Sequence, residues 1–313
     1  MSEELNDNGE RGALERLLLA HLMEQRRARR WNVFFRALGF LFLFTVLSLL
    51  LSRSGNEFVT PGPKTALVEL QGEIGGEGMS ADALIGALGK AFEDKHTKAV
   101  VMRINSPGGS PVHAGQVYDE ILRLKAKYPK IPFYVVVDDL CASGGYYIAA
   151  AADKIFVDKA SLIGSIGVLM DGFGFTEAMK KLGVERRLLT AGEHKGFLDP
   201  FAPIDPVEEN HAKRMLNEIH QQFIQAVRQG RGKRLKETPD MFSGLIWNGA
   251  RSIELGLADG LGSLDYVARE VVKAEDILDY TPHEDLTDRL ARRIGSAIGQ
   301  HLRPWTEGTA RLR

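Results

Sequence analysis

Cysteine is almost absent: Cys141 is the only one in 313 residues. That excludes an intramolecular disulfide framework and a cysteine-clustered metal site. A surplus of charge of one sign is lacking too. The net charge of −1 carries no basic excess of the kind that nucleic-acid binding shows. The eight histidines are scattered, and none has the H-E-x-x-H spacing of a zinc protease. Internal repeats and low-complexity segments are missing. What remains, 44% hydrophobic and 26% charged, suits one or two ordinary globular domains with a sizeable core.

One long apolar run stands out. Residues 1–30 are polar and end in a basic cluster, Arg26, Arg27, Arg29 and Arg30. Residues 31–51 follow, with Trp31 and then Val33 to Leu51 broken only by Arg36. About 19 helical residues rise roughly 28 Å, enough to cross a hydrocarbon core. Arg36 lies about one turn in and can snorkel toward the headgroups. The arginines before the run outnumber Arg53 after it, which places the N-terminus in the cytoplasm. Leu49-Leu-Leu-Ser-Arg-Ser lacks a small-x-small cleavage site, so the expectation is an uncleaved anchor. Residues 52–63, punctuated by Gly and Pro, read as a linker.

From 64 to 280 the pattern alternates. Thr65–Leu70, Ala99–Ile104, Phe133–Val137, Lys154–Val157 and Glu185–Leu189 read as strands. Ser80–Glu93, Val112–Lys127 and Val207–Gln229 read as helices, the first with Ser80 as a candidate cap, and shorter ones follow at Ala250–Leu255 and Leu264–Val271. Strands separated by helices indicate βαβ units around a largely parallel sheet, an α/β fold. In residues 281–313 the fourfold spacing of Leu286, Leu290, Ile294, Ile298 and Leu302 marks an amphipathic helix. It suits a subunit contact or core packing better than a membrane surface.

The chain is organised around Asp138 to Ile155, D-D-L-C-A-S-G-G-Y-Y-I-A-A-A-A-D-K-I. A strand ends before it and an uncharged, alanine-rich helix begins at Gly144, so Ser143 sits where a strand feeds a helix. There its hydroxyl can face outward beside the first helical N–H groups. It can equally serve as an ordinary N-cap. Cys141, two residues earlier, reads as a small buried hydrophobe, and the Asp138-Asp139 pair as capping or solvating the loop. Three loops complete the picture. Asn105-Ser-Pro-Gly-Gly109 can turn a backbone N–H into a pocket or form a plain tight turn. Ile163-Gly-Ser-Ile-Gly-Val168 carries Ser165, and Ala191-Gly-Glu-His-Lys-Gly196 carries Lys195.

In order, S-P-G-G, A-S-G-G-Y-Y-I-A…A-D-K-I, G-S-I-G-V and G-E-H-K resemble the landmarks of the signal peptide peptidase A family of serine proteases. The later Gly249-Ala…Glu254-Leu-Gly-Leu-Ala-Asp259-Gly-Leu-Gly262 is similar to that family's C-terminal part. The resemblance implies a Clp protease/crotonase-like fold and a Ser–Lys dyad, with Ser143 as nucleophile and Lys195 as general base. It implies an oxyanion hole from the N–H groups of Gly109 and Gly144, and Ser165 orienting the lysine. Neither metal nor cofactor is implied. Partners would be extended peptides such as remnant signal peptides, the inner membrane of a bacterium, and further copies of the chain in a ring whose dyad can be shared between subunits. The chain departs from the family's pattern at His194, where tyrosine is common, at Gly196, where aspartate is common, and at Cys141, where a small residue is usual.

A lysine has an unperturbed pKa of about 10.4, so as a base near neutrality it must be desolvated. The apolar walls around Tyr146, Tyr147, Ile148 and Ile166 are candidates for that role. Three other readings stand beside this one. The first is a Ser–His–Asp hydrolase with His113 or His194 as base. The second is a crotonase-like enzyme on acyl-CoA, which an outward-facing domain would not meet. The third is a non-catalytic membrane scaffold.

Overall fold

In the computed structural model, eight strands among the described residues, interleaved with helices, form one sheet, parallel but for a single pairing. The structure describes residues 27, 29–48, 62–75 and 80–282. Most of the polar N-terminal segment, residues 49–51 of the apolar run, most of the 52–63 linker and nearly all of the 281–313 tail lie outside the described residues. The chain divides into two units, Met1–Pro61 and Gly62–Arg313.

In the first unit, helix α1 (Arg29–Ser48, 20 residues) is long and apolar enough to cross a membrane. At 1.5 Å per residue it spans about 30 Å. Its large apolar side chains are exposed, Phe40 and Phe42 among them. A soluble core helix would bury them. Trp31 packs edge-on against Phe34 and stacks on Phe35, with centroids 5.8 and 5.7 Å apart.

The second unit opens with β1 (Lys64–Gln71), α2 (Ala81–Glu93), β2 (Thr97–Ser106), α3 (Pro111–Lys127) and β3 (Phe133–Ala142). Next come α4 (Gly144–Ala149), β4 (Lys154–Val157), β5 (Leu162–Gly164), α5 (Thr176–Leu182) and α6 (Pro206–Arg231). Then follow β6 (Ile246–Asn248), α7 (Gly249–Glu254), β7 (Gly260–Leu261), α8 (Leu264–Tyr266), which runs into a π turn, and β8 (Ile277–Asp279). The strand order is β6-β5-β3-β2-β1-β8, with β4 on β3 and β7 on β4. Only β5 and β6 run antiparallel. Strand β3 changes partner along its length. Residues 134–136 pair with β4, and residues 140–142 pair with β5. The end of β3 is thereby held between β2 and β5, and the chain turns at Ser143 directly after it.

Alternation decides which side chains meet the helices. On β2, Val100, Met102 and Ile104 join the large core with α2, α3, α4 and α6, while Val101 turns to the other face with Val136, Phe156 and Val267. Each such fully buried side chain contributes about 1.5–3 kcal/mol. Ser80 caps α2 as its sequence suggests, accepting from the Ala83 N–H at 3.2 Å. Asp205 caps α6, accepting from the Val207 N–H at 2.7 Å. Helix α6 lies hard against α4: a Cβ at Gly230 would sit 1.8 Å from the Ala150 carbonyl oxygen. Below that contact the buried Arg231 guanidinium pairs with Asp259 at 2.8 Å and donates to the Gly256 carbonyl at 2.9 Å.

Two readings need correction. Glu185–Leu189 forms no strand. A ladder needs an open partner edge, and this exposed segment meets none among the described residues. Asp138 and Asp139 belong to β3 instead of capping a loop. Asp138 binds the Arg103 Nε at 2.7 Å, and Asp139 accepts from the Asn105 side-chain amide at 3.5 Å.

Candidate active site

Ser143 occupies the N-cap position of α4, yet its side chain makes no capping hydrogen bond. Its backbone takes φ 51° and ψ −123°, strained for a residue with a Cβ. The turn is held from both sides: the Ser143 N–H donates to the Gly164 carbonyl at 2.9 Å, and the Ser143 carbonyl accepts from the Tyr147 N–H at 2.9 Å. A strained strand-to-helix turn that frees its hydroxyl is how a nucleophile is presented above a sheet. Of the two readings the residues allowed, the plain cap is therefore the weaker.

The Ser-Pro-Gly-Gly loop lies directly beside it. A Cβ on Gly108 would stand 2.7 Å from the Ser143 Cβ. Gly109 forms an isolated parallel bridge with Ile74. In that bridge the Ile74 N–H donates to Gly108 at 2.8 Å, and the Ser110 N–H donates to Ile74 at 3.0 Å. The bridge uses the groups flanking Gly109, so its own N–H turns the other way. Its nitrogen is 3.4 Å from where a Gly144 Cβ would sit. At Gly109 φ is 142°, and a Cβ would collide with the Ile74 carbonyl oxygen at 2.3 Å. No other residue fits this approach. Gly144 opens α4, where the first amides have no intrahelical partner.

Ser143, Gly109, Gly144 and Ser165 all line one cleft of about 810 Å³. Ser165 has φ 51°, and its N–H donates to the Leu245 carbonyl at 2.7 Å. Beside it His220 Nε2 lies 3.1 Å from the Ile166 carbonyl oxygen, bracing the Ser165 loop from α6. His220 stood in the sequence as one scattered histidine. Only the course of α6 brings it here.

Lys195 is not among the residues lining this cleft. It is exposed in a turn where its N–H donates to the Gly192 carbonyl at 3.2 Å. The surrounding excursion is tied mainly to itself and to the start of α6. Phe175 stacks on Phe201 at 5.5 Å, the Arg186 guanidinium pairs with Asp199, and Glu208 holds the Leu198 N–H at 3.0 Å. The same excursion leaves Leu169, Phe173, Leu182 and Leu189 exposed.

The remaining candidates separate cleanly. Neither His113 nor His194 lines the cleft, and His194 instead lies 3.3 Å from Glu208. Cys141 is fully buried, and burial pushes its thiol pKa far up, so it is no rival nucleophile. Of the four residues expected as apolar walls, only Tyr147 faces the cleft. Tyr146 is buried with its hydroxyl on the Leu257 carbonyl at 2.8 Å, while Ile148 and Ile166 are buried in the core. The far cleft walls come from α6 through Ile219 and Phe223, with the Phe223 ring 4.9 Å from Tyr147. A second cleft of about 830 Å³ holds Arg103, already bound by Asp138 and Glu69, and Ser161, which donates to the Asp138 carbonyl.

A serine without a capping hydrogen bond, on a strained strand-to-helix turn among backbone amides, is the arrangement that the class of serine hydrolases uses. Comparison with known proteins narrows that class. The sequence model of peptidase family S49 matches residues 125–278. A protein of Methanocaldococcus jannaschii that carries the name "Putative protease" is 31% identical over 276 residues, covering 81% of this chain and 88% of that one. The "Putative signal peptide peptidase SppA" of Enterococcus faecium is 29% identical over 216 residues, covering 68% of this chain and 62% of that one. A Brucella melitensis protein named "Na(+)/H(+) antiporter NhaA" is 44% identical over 237 residues, covering 69% of this chain. The match spans about a third of that protein, 32% of its length. The chain belongs to peptidase family S49, the signal peptide peptidase A family.

Proposed function

We propose that the protein is a membrane-anchored endopeptidase with a Ser143–Lys195 dyad on a Clp protease/crotonase-like fold. It degrades remnant signal peptides or other extended peptides at the membrane. Helix α1 is its anchor in a bacterial cytoplasmic membrane, with the N-terminus in the cytoplasm and the peptidase domain outside. The observation that carries this reading is the Ser143 hydroxyl, left free of its capping role on a strained turn beside the amides of Gly109 and Gly144.

The neutral Lys195 amine takes the Ser143 proton as Oγ bonds to the scissile carbonyl carbon. The oxyanion accepts hydrogen bonds from the Gly109 and Gly144 N–H groups, each worth about 10²–10³ in rate. Lys195 returns the proton to the leaving amine, the C–N bond breaks and an ester to Ser143 remains. Water, deprotonated by the same amine, attacks the ester, and the proton passes back to Ser143 as the carboxylate leaves. Ser–Lys is a variant of triad logic in which no histidine takes part.

Lys195 reaches Ser143 from a neighbouring copy in a homo-oligomeric ring, where Ser165 orients it. Two features support this. Lys195 is exposed and absent from its own chain's cleft, and its excursion carries solvent-facing leucines and phenylalanines that a subunit contact would bury. Docking would also supply the desolvation that a lysine base needs.

Peptidase assay of the full chain in detergent tests the reading. Ser143→Ala and Lys195→Ala should each lower turnover at least about 10⁴-fold. Mixing the two inactive variants should restore part of the activity, because one pairing of subunits joins an intact serine to an intact lysine. Full activity in Lys195→Ala sinks the dyad, and no restoration on mixing sinks its sharing.

A further inference from the structure

The cleft that holds Ser143 is acidic. Among the described residues its lining carries two carboxylates, Glu73 and Asp119, and no lysine, arginine or histidine. Both side chains are exposed, and among the described residues neither carboxylate takes part in an ion pair or hydrogen bond. Glu120, next to Asp119, is by contrast bound by Arg123 at 2.7 Å, and Glu209 by Lys213 at 2.7 Å. A concave wall of uncompensated charge focuses its field on whatever enters.

The two carboxylates come from different segments. Glu73 precedes Ile74, whose backbone bridges Gly109, so it flanks the reacting end of the cleft. Asp119 lies on α3, whose N-terminus at Pro111 adjoins the same loop. Val112, Gly115, Gln116 and Asp119 recur at helical spacing and together form one wall. From Pro111 to Asp119 the helix rises about 12 Å. An extended peptide covers that distance in about three to four residues. Between them the lining is apolar or neutral, with Tyr147 and Phe223 opposite the helix.

We propose that the cleft selects peptides bearing a basic side chain three to four residues from the scissile bond, read by Asp119 and assisted by Glu73. The apolar middle of the cleft takes uncharged residues. This rests on the reading of Ser143 as the nucleophile, since that residue sets the origin from which the distance is counted. It names Asp119 as a specificity-determining residue and adds a charge criterion to substrate choice.

The test uses the full-length protein in neutral detergent and a fluorescent ten-residue alanine–leucine peptide. Lys, Gln or Glu is substituted at each position in turn. Cleavage is followed with the unaltered protein, and binding with Ser143→Ala. At low salt the Lys peptide should exceed the Glu peptide about tenfold in kcat/KM and in affinity at positions three or four from the cut, and the ratio should shrink as salt rises. Asp119→Asn should bring the Lys-to-Glu ratio to within about twofold, while Asp119→Glu should keep it. Equal binding of Lys, Gln and Glu peptides at every position overturns the proposal, as does a preference that survives Asp119→Asn combined with Glu73→Gln. No cleavage of any peptide, with the Lys preference intact in Ser143→Ala binding, would overturn the endopeptidase reading and leave this one standing.

Discussion

Around Ser143 the chain is held on every side by the body. Its N–H is on Gly164, its carbonyl on Tyr147, and the neighbouring glycines are packed against the Ile74 backbone. Around Lys195 the described contacts reach from Phe175 only to His211 on α6, and large apolar side chains such as Leu182 and Leu189 face solvent. Position near the serine is thus set by the core, whose close packing tolerates little displacement. Position at the lysine is set by short-range turns, which leave its reach to whatever docks there. The two regions should therefore answer mutation differently.

The sharpest contrast is in stability. Asp259→Ala strips the buried Arg231 of its charged partner and should cost about 3–5 kcal/mol in denaturant unfolding. Lys195→Ala, on an exposed turn, should change stability by no more than about 0.5 kcal/mol. Similar losses for the two would break the comparison.

Next in size is Gly109→Ala. The added methyl meets the Ile74 carbonyl oxygen at 2.3 Å, so the bridge must open. Strain of about 1–3 kcal/mol should appear in melting. Turnover should drop about 10²–10³-fold as one oxyanion donor swings away. Normal kinetics in a well-folded Gly109→Ala protein would remove that amide from the proposed mechanism.

Acid should loosen the body through Asp94. Burial there favours the neutral acid, but the Lys64 ammonium at 2.7 Å, the Tyr280 hydroxyl and the His96 N–H override it and bring the pKa from 3.8 to about 2. The folded value lies below the unfolded one. Its stabilisation is therefore complete above about pH 4 and is lost as pH falls toward 2. Asp94→Asn should flatten that part of the stability–pH curve, seen by thermal melts across the range.

The smallest effect on folding is expected at Leu189, 95% exposed. Leu189→Ser should leave unfolding within about 0.5 kcal/mol of the unaltered protein. In sedimentation it should weaken assembly, if the excursion docks on another copy. Unchanged assembly with unchanged activity would free the excursion of that role.

Local patterning carried much of this fold. The strand run of β2, the Ser80 cap of α2 and the helical run of α3 depend on neighbours a few residues away, and each is found where its residues indicate. Strands β5 to β8 run only two or three residues, so no period can develop, and distant partners alone define them. Glu185–Leu189 shows the converse, a short run read as a strand that meets no partner edge among the described residues.

By itself the amino-acid sequence determined the alternating α/β plan, the apolar N-terminal helix and the address of Ser143 at a strand-to-helix junction. Those follow from period, propensity and spacing along the chain. Only the tertiary structure decided that the serine's hydroxyl is spared from capping, that Gly109, Gly144 and Ser165 share its cleft, and that His113, His194 and the same chain's Lys195 do not. The reason is physical: which loops border the serine is decided by contacts between segments far apart in the chain, such as Ile74 with Gly109 and Ser165 with Leu245. Such contacts are chosen by how the sheet and helices close on one another, which no local window of residues contains.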